Sequence, residues 1–352
     1  MLTKKKIPKR LFLVFLALLL AAWLCEYIGD TQEDRVRNAF YYITGDSIKS
    51  YNKITVDSSG IPYVDYFTEN GVTPGRQYNA TIVATHATEL YHDLEKKTDS
   101  IKSIQFRNCI DWLARNISFR KGYGLYVFNW QQAWYPKVKA PFTSGLSSGC
   151  AIEAFTYAQQ FYPAEDHLQY AKALLKGFYL PIDSGGFTYK EKQGWWYEEF
   201  ADSNKQTPRI LDGHIYAILG TRAYFQFTKD DSAKYVISQG LTALKQHLPD
   251  YDKYEDRVCY DIDCKPADWK YHTMLAGQMK QLWEITNDSL FFHYYRKWSR
   301  PLEKPYVYRI VKERNRSGII LYILMSAFLF ILISFGWRLF FNRRDDKTEH
   351  IH

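Results

Sequence analysis

The chain has 352 residues, a net charge of +8 and an aromatic content of 17%, with 29 Tyr and 10 Trp. That length suits one large domain or two small ones. Part of the positive charge sits at the two ends, with no Lys/Arg stripe interleaved with aromatics on one element, so nucleic acid is not an expected partner. The aromatic excess fits either a large aromatic core or a carbohydrate cleft, where rings stack on the apolar faces of pyranoses.

From the N-terminus, Lys4, Lys5, Lys6, Lys9 and Arg10 precede an uncharged apolar run over residues 11–25, closed by Glu26. The run is shorter than the roughly 20 residues of a typical span. It lacks an A-x-A cleavage site, which favours an uncleaved signal anchor over a removed signal peptide. Residues 318–337 form a second apolar run without charge, ending at Trp337, and read as a transmembrane helix. Basic residues near the ends, Arg338, Arg343, Arg344 and Lys347 among them, then place both termini in the cytoplasm. Lys312, Arg314 and Arg316 weigh the other way, but charge that follows a long translocated domain is a weaker determinant. The expected localisation is a two-span membrane protein whose domain is extracytoplasmic or lumenal, in the cell membrane or the Golgi according to host.

Between the spans, "KITVDSSGIPYVDYF" has a turn signal at Ser58-Ser59-Gly60 between alternating stretches, the pattern of a β-hairpin. From Ala80 onward apolar residues fall at helical spacing in "ATIVATHATELYHDL", "IQFRNCIDWLARNI", "SSGCAIEAFTYAQQFY", "HLQYAKALLKGFYLP", "ILDGHIYAILGTRAYFQFT", "AKYVISQGLTALKQHLP" and "TMLAGQMKQLWEIT". Pro163, Pro181 and Pro249 act as stop signals. Long loops rich in Gly and aromatics separate these helices, and such loops are usually functional. They include "YGLYVFNWQQAWYPKVKAPF", "DSGGFTYKEKQGWWYEEF" and "YDKYEDRVCYDIDCKPADWKYH". Helix pairs joined by such loops suggest a mainly α fold, an incomplete α/α toroid with a small β-hairpin region, flanked by two transmembrane helices. The expected layout is a basic end with signal anchor (1–29), a β-hairpin region (30–79), the toroid domain (80–310), the second span (318–337) and a basic tail (338–352).

Five cysteines are present. Cys259 and Cys264 are near enough in sequence for a local disulfide in an oxidising compartment. Zinc needs more ligands than His272 can complete, so no metal is expected. "WWYEEF" at 195–200 puts two carboxylates inside an aromatic wall. Neighbours in an extended segment point to opposite sides. Glu198 and Glu199 therefore divide into one cleft-facing acid and one that makes a structural hydrogen bond. Tyr260 and Tyr271 lie in one loop region. A phenol there becomes an acid or base when a cation lowers its pKa, with Lys270, His272 and Arg257 as candidate cations.

Taken in order, "GIPYVDYF", "YNATIVATHATELYHDL", "WLARN", "APFTSGLSSGCAIEAF", "GGFTY", "WYEEF", "LDGHIYAILG", "LPDYD", "CYDI", "DWKYHTMLAGQMKQL" and the late Trp of "YYRKWSR" resemble the glucuronyl C5-epimerase family. "LDGHIYAILG" matches that family's L-N-G-x-x-Y-x-x-x-G helix. The resemblance implies inversion of carbon 5 of glucuronate to iduronate within a polymer such as a heparan-type glycan, without metal, nucleotide or other cofactor. It implies Glu199 as proton acceptor on one ring face, Tyr271 opposite, and Tyr260 as a second catalytic phenol. Trp195, Tyr197, Glu198, Arg209, Lys270 and His272 are the expected substrate-binding residues. Expected partners are the membrane, a uronate-containing anionic polysaccharide, and a second copy or a polysaccharide-synthesis machinery.

The chain departs from the family at several places. Phe200 replaces a catalytic Tyr. Asp263 replaces an Arg that would clamp the substrate carboxylate, leaving Arg209 or Lys270 for that role. Leu275 replaces a second His, and "SGC" at 148–150 replaces Q-G-Q. A polysaccharide lyase and a catalytically silent glycan-binding subunit stand as the alternative readings.

Overall fold

A computed structural model of the chain describes residues 9–44, 53–66, 68–204 and 207–349. Lys4, Lys5, Lys6 and His352 lie outside the described residues. The backbone forms two compact units, one made of Met1–Ser50 with Glu303–His352 and the other of Tyr51–Leu302.

The chain opens with helix α1 (Lys9–Thr44). It runs well past residue 30, where the sequence reading begins its β-hairpin region. Strands β1 (Lys53–Val56) and β2 (Pro62–Tyr66) then pair antiparallel, and β3 (Gly75–Gln77) joins the free edge of β2. The expected turn is present. Asp57 Oδ1 accepts from the backbone N–H groups of Ser59 and Ile61, and Gly60 takes φ +79°, which a glycine adopts without strain.

Helices α2 (Ala80–Lys96) and α3 (Ser100–Arg115) follow, each capped by a side chain, Asn79 and Asp99. Short strands β4 (Ser118–Arg120), β5 (Tyr123–Leu125), β6 (Val127–Phe128) and β7 (Phe142–Thr143) lead to α4 (Gly145–Phe161) and α5 (Leu168–Gly177). Strands β8 (Thr188–Lys190), β9 (Trp195–Tyr197) and β10 (Ala201–Asp202) precede α6 (Leu211–Thr228) and α7 (Asp231–His247). Helices α8 (Trp269–Thr286) and α9 (Ser289–Ser299) complete the unit. Every stretch read as helical is helical, with Pro163 just past α4, Pro181 past α5 and Pro249 in the 3-10 turn after α7.

Two boundaries differ from the sequence reading. "WKYH" is not loop but the first turn of α8, because Asp268 accepts from the Tyr271 N–H at 2.9 Å and starts the helix early. Helix α9 buries Phe291, Tyr294 and Trp298 at helical spacing but is absent from the expected helices.

Packing in this unit is ordered. Helices α2, α4, α6 and α8 contact one another in succession, while α3, α5, α7 and α9 each pack on the helix before them. The α4–α6 contact is closest at Gly149 and Gly220, where the two backbones touch and a Cβ on either would collide. Strand and loop segments gather beside the N-terminal ends of α4, α6 and α8. The fold is thus mainly helical with small sheets.

The first unit joins α1 to α10 (Tyr306–Lys312) and α11 (Arg316–Glu349). Two helices are long and apolar enough to cross a membrane, over Lys9–Glu33 and Arg316–Arg338. Ala17, Ala21 and Cys25 are buried at a spacing of four where α1 meets α11, while Phe15, Leu19, Phe328 and Phe335 are exposed. Past the apolar run, acids on α1 are held by polar groups of the returning chain. Glu26 accepts from the Tyr306 N–H, Glu33 from the Tyr306 hydroxyl and the Asn315 amide, and Asp30 pairs with Arg309. These bonds explain why the helix does not stop at Glu26.

Candidate active site

The aromatic wall of "WWYEEF" is mostly core. On β9, Trp196 is fully buried, stacked on the His214 imidazole at 4.0 Å and parallel to the Tyr251 ring. Tyr197 is also fully buried and donates its hydroxyl to Val236 O at 2.6 Å, so no polymer reaches it. Trp195 packs elsewhere, edge-on to Tyr179 and Tyr235 and beneath the Lys190 ammonium. His214 accepts from the Tyr197 N–H and lies against Gly240 O, and burial lowers its pKa to about 3. The imidazole is a neutral strut.

The two acids divide as their neighbouring positions require. Glu198 N donates to Phe187 O, and Glu198 O accepts from the Gly145 N–H, which anchors the segment at the start of α4. The Glu198 carboxylate is fully buried and takes one hydrogen bond, from the Arg209 N–H at 3.0 Å. Burial pushes its pKa up to about 8. It braces a loop instead of lining a cleft.

Glu199 turns to the first turn of α6. Its Oε2 sits against Gly213, where a Cβ would meet it at 2.6 Å. Beside Gly213 is Asp212, 5% exposed. Glu199 Oε2 and Asp212 Oδ1 are both closed to solvent and both lack a hydrogen-bond partner. Burial, then the charge of Asp212, then that of Glu198, hold Glu199 well above the usual carboxylate range. Burial raises Asp212 to about 7. Two neighbouring acids, each with a buried oxygen that lacks a partner, cannot both ionise without large cost.

Two phenols complete the group. Tyr260 lies in a loop closed by the Cys259–Cys264 disulfide. Its backbone donates to Lys265 O and accepts from the Leu211 N–H, tying it to the start of α6. Tyr271 projects from the first turn of α8, and the two rings lie 4.8 Å apart. Burial first, then the charges of Asp212 and Glu199, raise both phenols above their ordinary values. The sequence reading expected a cation to lower them. Instead the neighbours are acids, so both rings stay protonated and stand as donors.

The remaining candidates are not brought to this group. His272 is buried, accepts from the Val258 N–H at Nδ1 and faces Trp298 O through Nε2. Lys270 is exposed on α8. Arg209 pairs with Glu191 at 2.5 Å and its guanidinium lies over Tyr189, while His247 holds the other Glu191 oxygen at 2.7 Å. That cluster consumes the cation expected to replace the clamp at 263.

Other residues were missed. Tyr135 donates its hydroxyl to Asp261 Oδ2 at 2.7 Å, and its ring lies 5.8 Å from Phe200. The Tyr66 hydroxyl accepts from the Asn79 amide, and burial with the Glu199 charge lifts its pKa to about 12. Cys150 on α4 is buried within the field of Glu199 and Asp212. The signals available were the long loop that carries Tyr135, the hairpin that carries Tyr66 and the L-D-G motif that carries Asp212. Phe200, 9% exposed, packs edge-on to Phe142. Among the described residues no three His, Cys, Asp or Glu side chains converge to hold a metal ion.

Residues 120–300 match the family model for the D-glucuronyl C5-epimerase C-terminus, and this span holds the whole group except Tyr66. The chain belongs to the D-glucuronyl C5-epimerase C-terminal family. A curated relative is an uncharacterised protein of Methanocaldococcus jannaschii, 28% identical over 191 residues, or 52% of this chain. The chain spans 58% of that relative's length. Solved structures similar to it include cellobiose 2-epimerase from Spirochaeta thermophila, 13% identical over 66% of this chain and 61% of that one, with a TM-score of 0.43. A sugar epimerase from a ruminal bacterium is 11% identical over 71% and 67% of the two chains, with a TM-score of 0.45. A D-mannose isomerase is 14% identical over 76% and 68%, with a TM-score of 0.43.

Proposed function

We propose that the protein is a carbohydrate epimerase, specifically a membrane-anchored C5-epimerase that converts D-glucuronate to L-iduronate within an anionic polysaccharide. The observation that supports this reading is the gathering, around the start of α6, of a buried and unpartnered Glu199 oxygen and two phenols, Tyr260 and Tyr271, whose rings lie 4.8 Å apart. Carbon 5 of a uronate bears a weakly acidic hydrogen, α to the carboxylate. Its removal needs a base on one ring face, and inversion needs a donor on the other. Glu199, when ionised, is a strong base because burial disfavours its charge. Tyr271 is the opposing donor, with Tyr260 behind it. Donors aimed at the substrate carboxylate stabilise the charge that grows there.

The succession α2, α4, α6, α8 with an outer partner on each fits an incomplete α/α toroid, with the active group at one end of the inner helices. The exposed apolar faces of α1 and α11 suit lipid, and the Cys259–Cys264 bond suits an oxidising compartment, in keeping with an extracytoplasmic or lumenal domain and cytoplasmic termini.

The test is incubation of the full-length protein with a panel of uronate polymers in deuterated water, followed by NMR. Deuterium at carbon 5 and new iduronate signals at unchanged chain length support the reading. New ultraviolet absorbance and shortened chains would point to a lyase. Binding without exchange would point to the silent subunit that Phe200 allows.

A further inference from the structure

A series of packed rings runs outward from Phe200, the residue after Glu199. Phe200 meets Phe142 at 5.5 Å, Phe142 meets Trp130 at 5.3 Å, Trp130 meets Tyr66 at 4.9 Å and Tyr66 meets Trp134 at 6.4 Å. Phe200 and Phe142 are buried, Trp130 and Tyr66 half-buried, and Trp134 is 47% exposed. We propose that the Trp134 ring is a stacking platform for a pyranose of the bound polymer, one that flanks the uronate presented to Glu199. The inference rests on the function proposed above and extends that site along the polymer.

A single exposed apolar side chain on a surface needs no explanation. Three observations set Trp134 apart. Its loop is tied down on both sides. The Trp134 N–H donates to Gln132 Oε1 at 3.1 Å, the Asn70 amide donates to Ala133 O at 3.0 Å, and the Gln131 amide donates to Val138 O. The ring is thus presented with little ordering left to do on binding. Its neighbour Tyr135 fastens the loop to both segments of the active group. The Tyr135 ring lies 5.8 Å from that of Phe200, and its hydroxyl donates to Asp261, the residue after Tyr260, at 2.7 Å. The charge around it suits a polyanion. Residues 129–141 contain Lys137 and Lys139 and no acid, and the Lys265 ammonium lies 4.2 Å from the Tyr135 ring centroid, where it pairs with buried Asp261.

The shape of the platform favours a sugar. A pyranose offers a flat face of C–H groups with hydroxyls around its rim. An indole covers that face and leaves the rim to water or to nearby polar groups. The residues beside Trp134 on the loop are polar, with Gln131, Lys137 and Lys139 among them, so a flat ligand that is apolar only on its face fits better than a wholly apolar one. Holding a flanking unit sets the register of the unit that reacts. Nothing at the flanking unit changes between bound substrate and transition state, so the contact lowers KM and leaves kcat alone.

The test uses full-length protein with unsulfated polymers of glucuronate and N-acetylglucosamine or N-acetylgalactosamine, and a ladder of oligosaccharides cut from them. Trp134→Ala should raise KM for the long polymer by roughly tenfold with kcat within about twofold of wild type. In wild type KM should fall as the oligosaccharides lengthen enough to reach Trp134, and Trp134→Ala should remove that fall. Trp134→Phe keeps a stacking face and should recover most of the loss, which guards against a loop that merely loosens in the alanine variant. Phe119→Ala removes another exposed ring, on β4, and should change nothing. The platform is overturned if Trp134→Ala leaves KM unchanged, if the loss falls on kcat, if it is the same at every chain length, or if Trp134→Phe is as damaged as Trp134→Ala. Wild-type protein that binds a polymer without inverting it sinks the epimerase reading alone. The platform then stands if Trp134→Ala weakens Kd by roughly tenfold and falls if Kd is unchanged. Wild-type protein that binds neither polymer overturns the platform.

Discussion

Two clusters of buried charge flank the segment 195–200, and they are built on opposite terms. In one, Glu191 has a partner on each oxygen, Arg209 at 2.5 Å and His247 at 2.7 Å, and His247 also reaches Asp250. In the other, Glu199 and Asp212 each keep a buried oxygen with no partner at all. Both clusters carry acids removed from water. Only the first answers every acid with a cation. An unanswered acid costs stability; Glu198 Oε1 is bare as well, so what sets Glu199 and Asp212 apart is the pair of phenols beside them.

The largest expected effect breaks the unpaired side. Glu199→Gln retains shape and removes the base, and inversion measured by NMR should fall roughly 10²–10⁴-fold while the fold remains intact. An equal loss of thermal stability would show that Glu199 is a brace and not a base. Tyr271→Phe should cost a similar factor in inversion, yet deuterium exchange should survive better, since exchange needs one ring face and inversion two.

The next test breaks the paired side. Arg209→Ala leaves Glu191 with half its partners in a poorly solvated place. It should destabilise the domain by about 3 kcal/mol, read by denaturant unfolding, with turnover per folded molecule near wild type. Loss of turnover without loss of stability would return Arg209 to the role of carboxylate clamp.

The contrast sharpens with pH. Glu198, Glu199 and Asp212 all bind a proton more tightly in the folded chain than an ordinary carboxylate does. The folded state therefore holds more protons than the unfolded one. The stability these groups contribute is complete below the usual carboxylate range and is lost as pH rises through about 7 for Asp212 and about 8 for Glu198. Glu198→Gln should match wild type in thermal scans near about pH 5 and exceed it by about 5 °C or more near about pH 9. Activity should run the other way: kcat/KM should climb as pH rises through neutrality, because the base must be ionised.

Phe200→Tyr should have the smallest effect. The ring sits 5.5 Å from Phe142 and 5.8 Å from Tyr135, one residue beyond Glu199. A hydroxyl added there should leave turnover intact or raise it by a few fold, as compared in the same polymer assay. A collapse of activity would mean that the group needs an apolar wall at 200.

Local pattern was enough for most of the architecture. Periodicity marked helices from α2 to α8, Ser58-Ser59-Gly60 marked the hairpin turn, and ordered motifs marked the family. The same order pointed to Glu199, Tyr260 and Tyr271, because chemistry of this kind needs an acid and phenols within recognisable neighbours. What the sequence does not determine by itself is which polar group meets which. Nothing local shows that Trp196 and Tyr197 are core, that Arg209 is held by Glu191, or that Tyr66 and Tyr135 come near Glu199 from distant segments. The burial of Asp212 is hidden in the same way, since an acid at the start of a helix ordinarily reads as a favourable end charge. Only the packing of α6 against the 195–200 segment removes its water, and burial without a partner is a property of the tertiary structure.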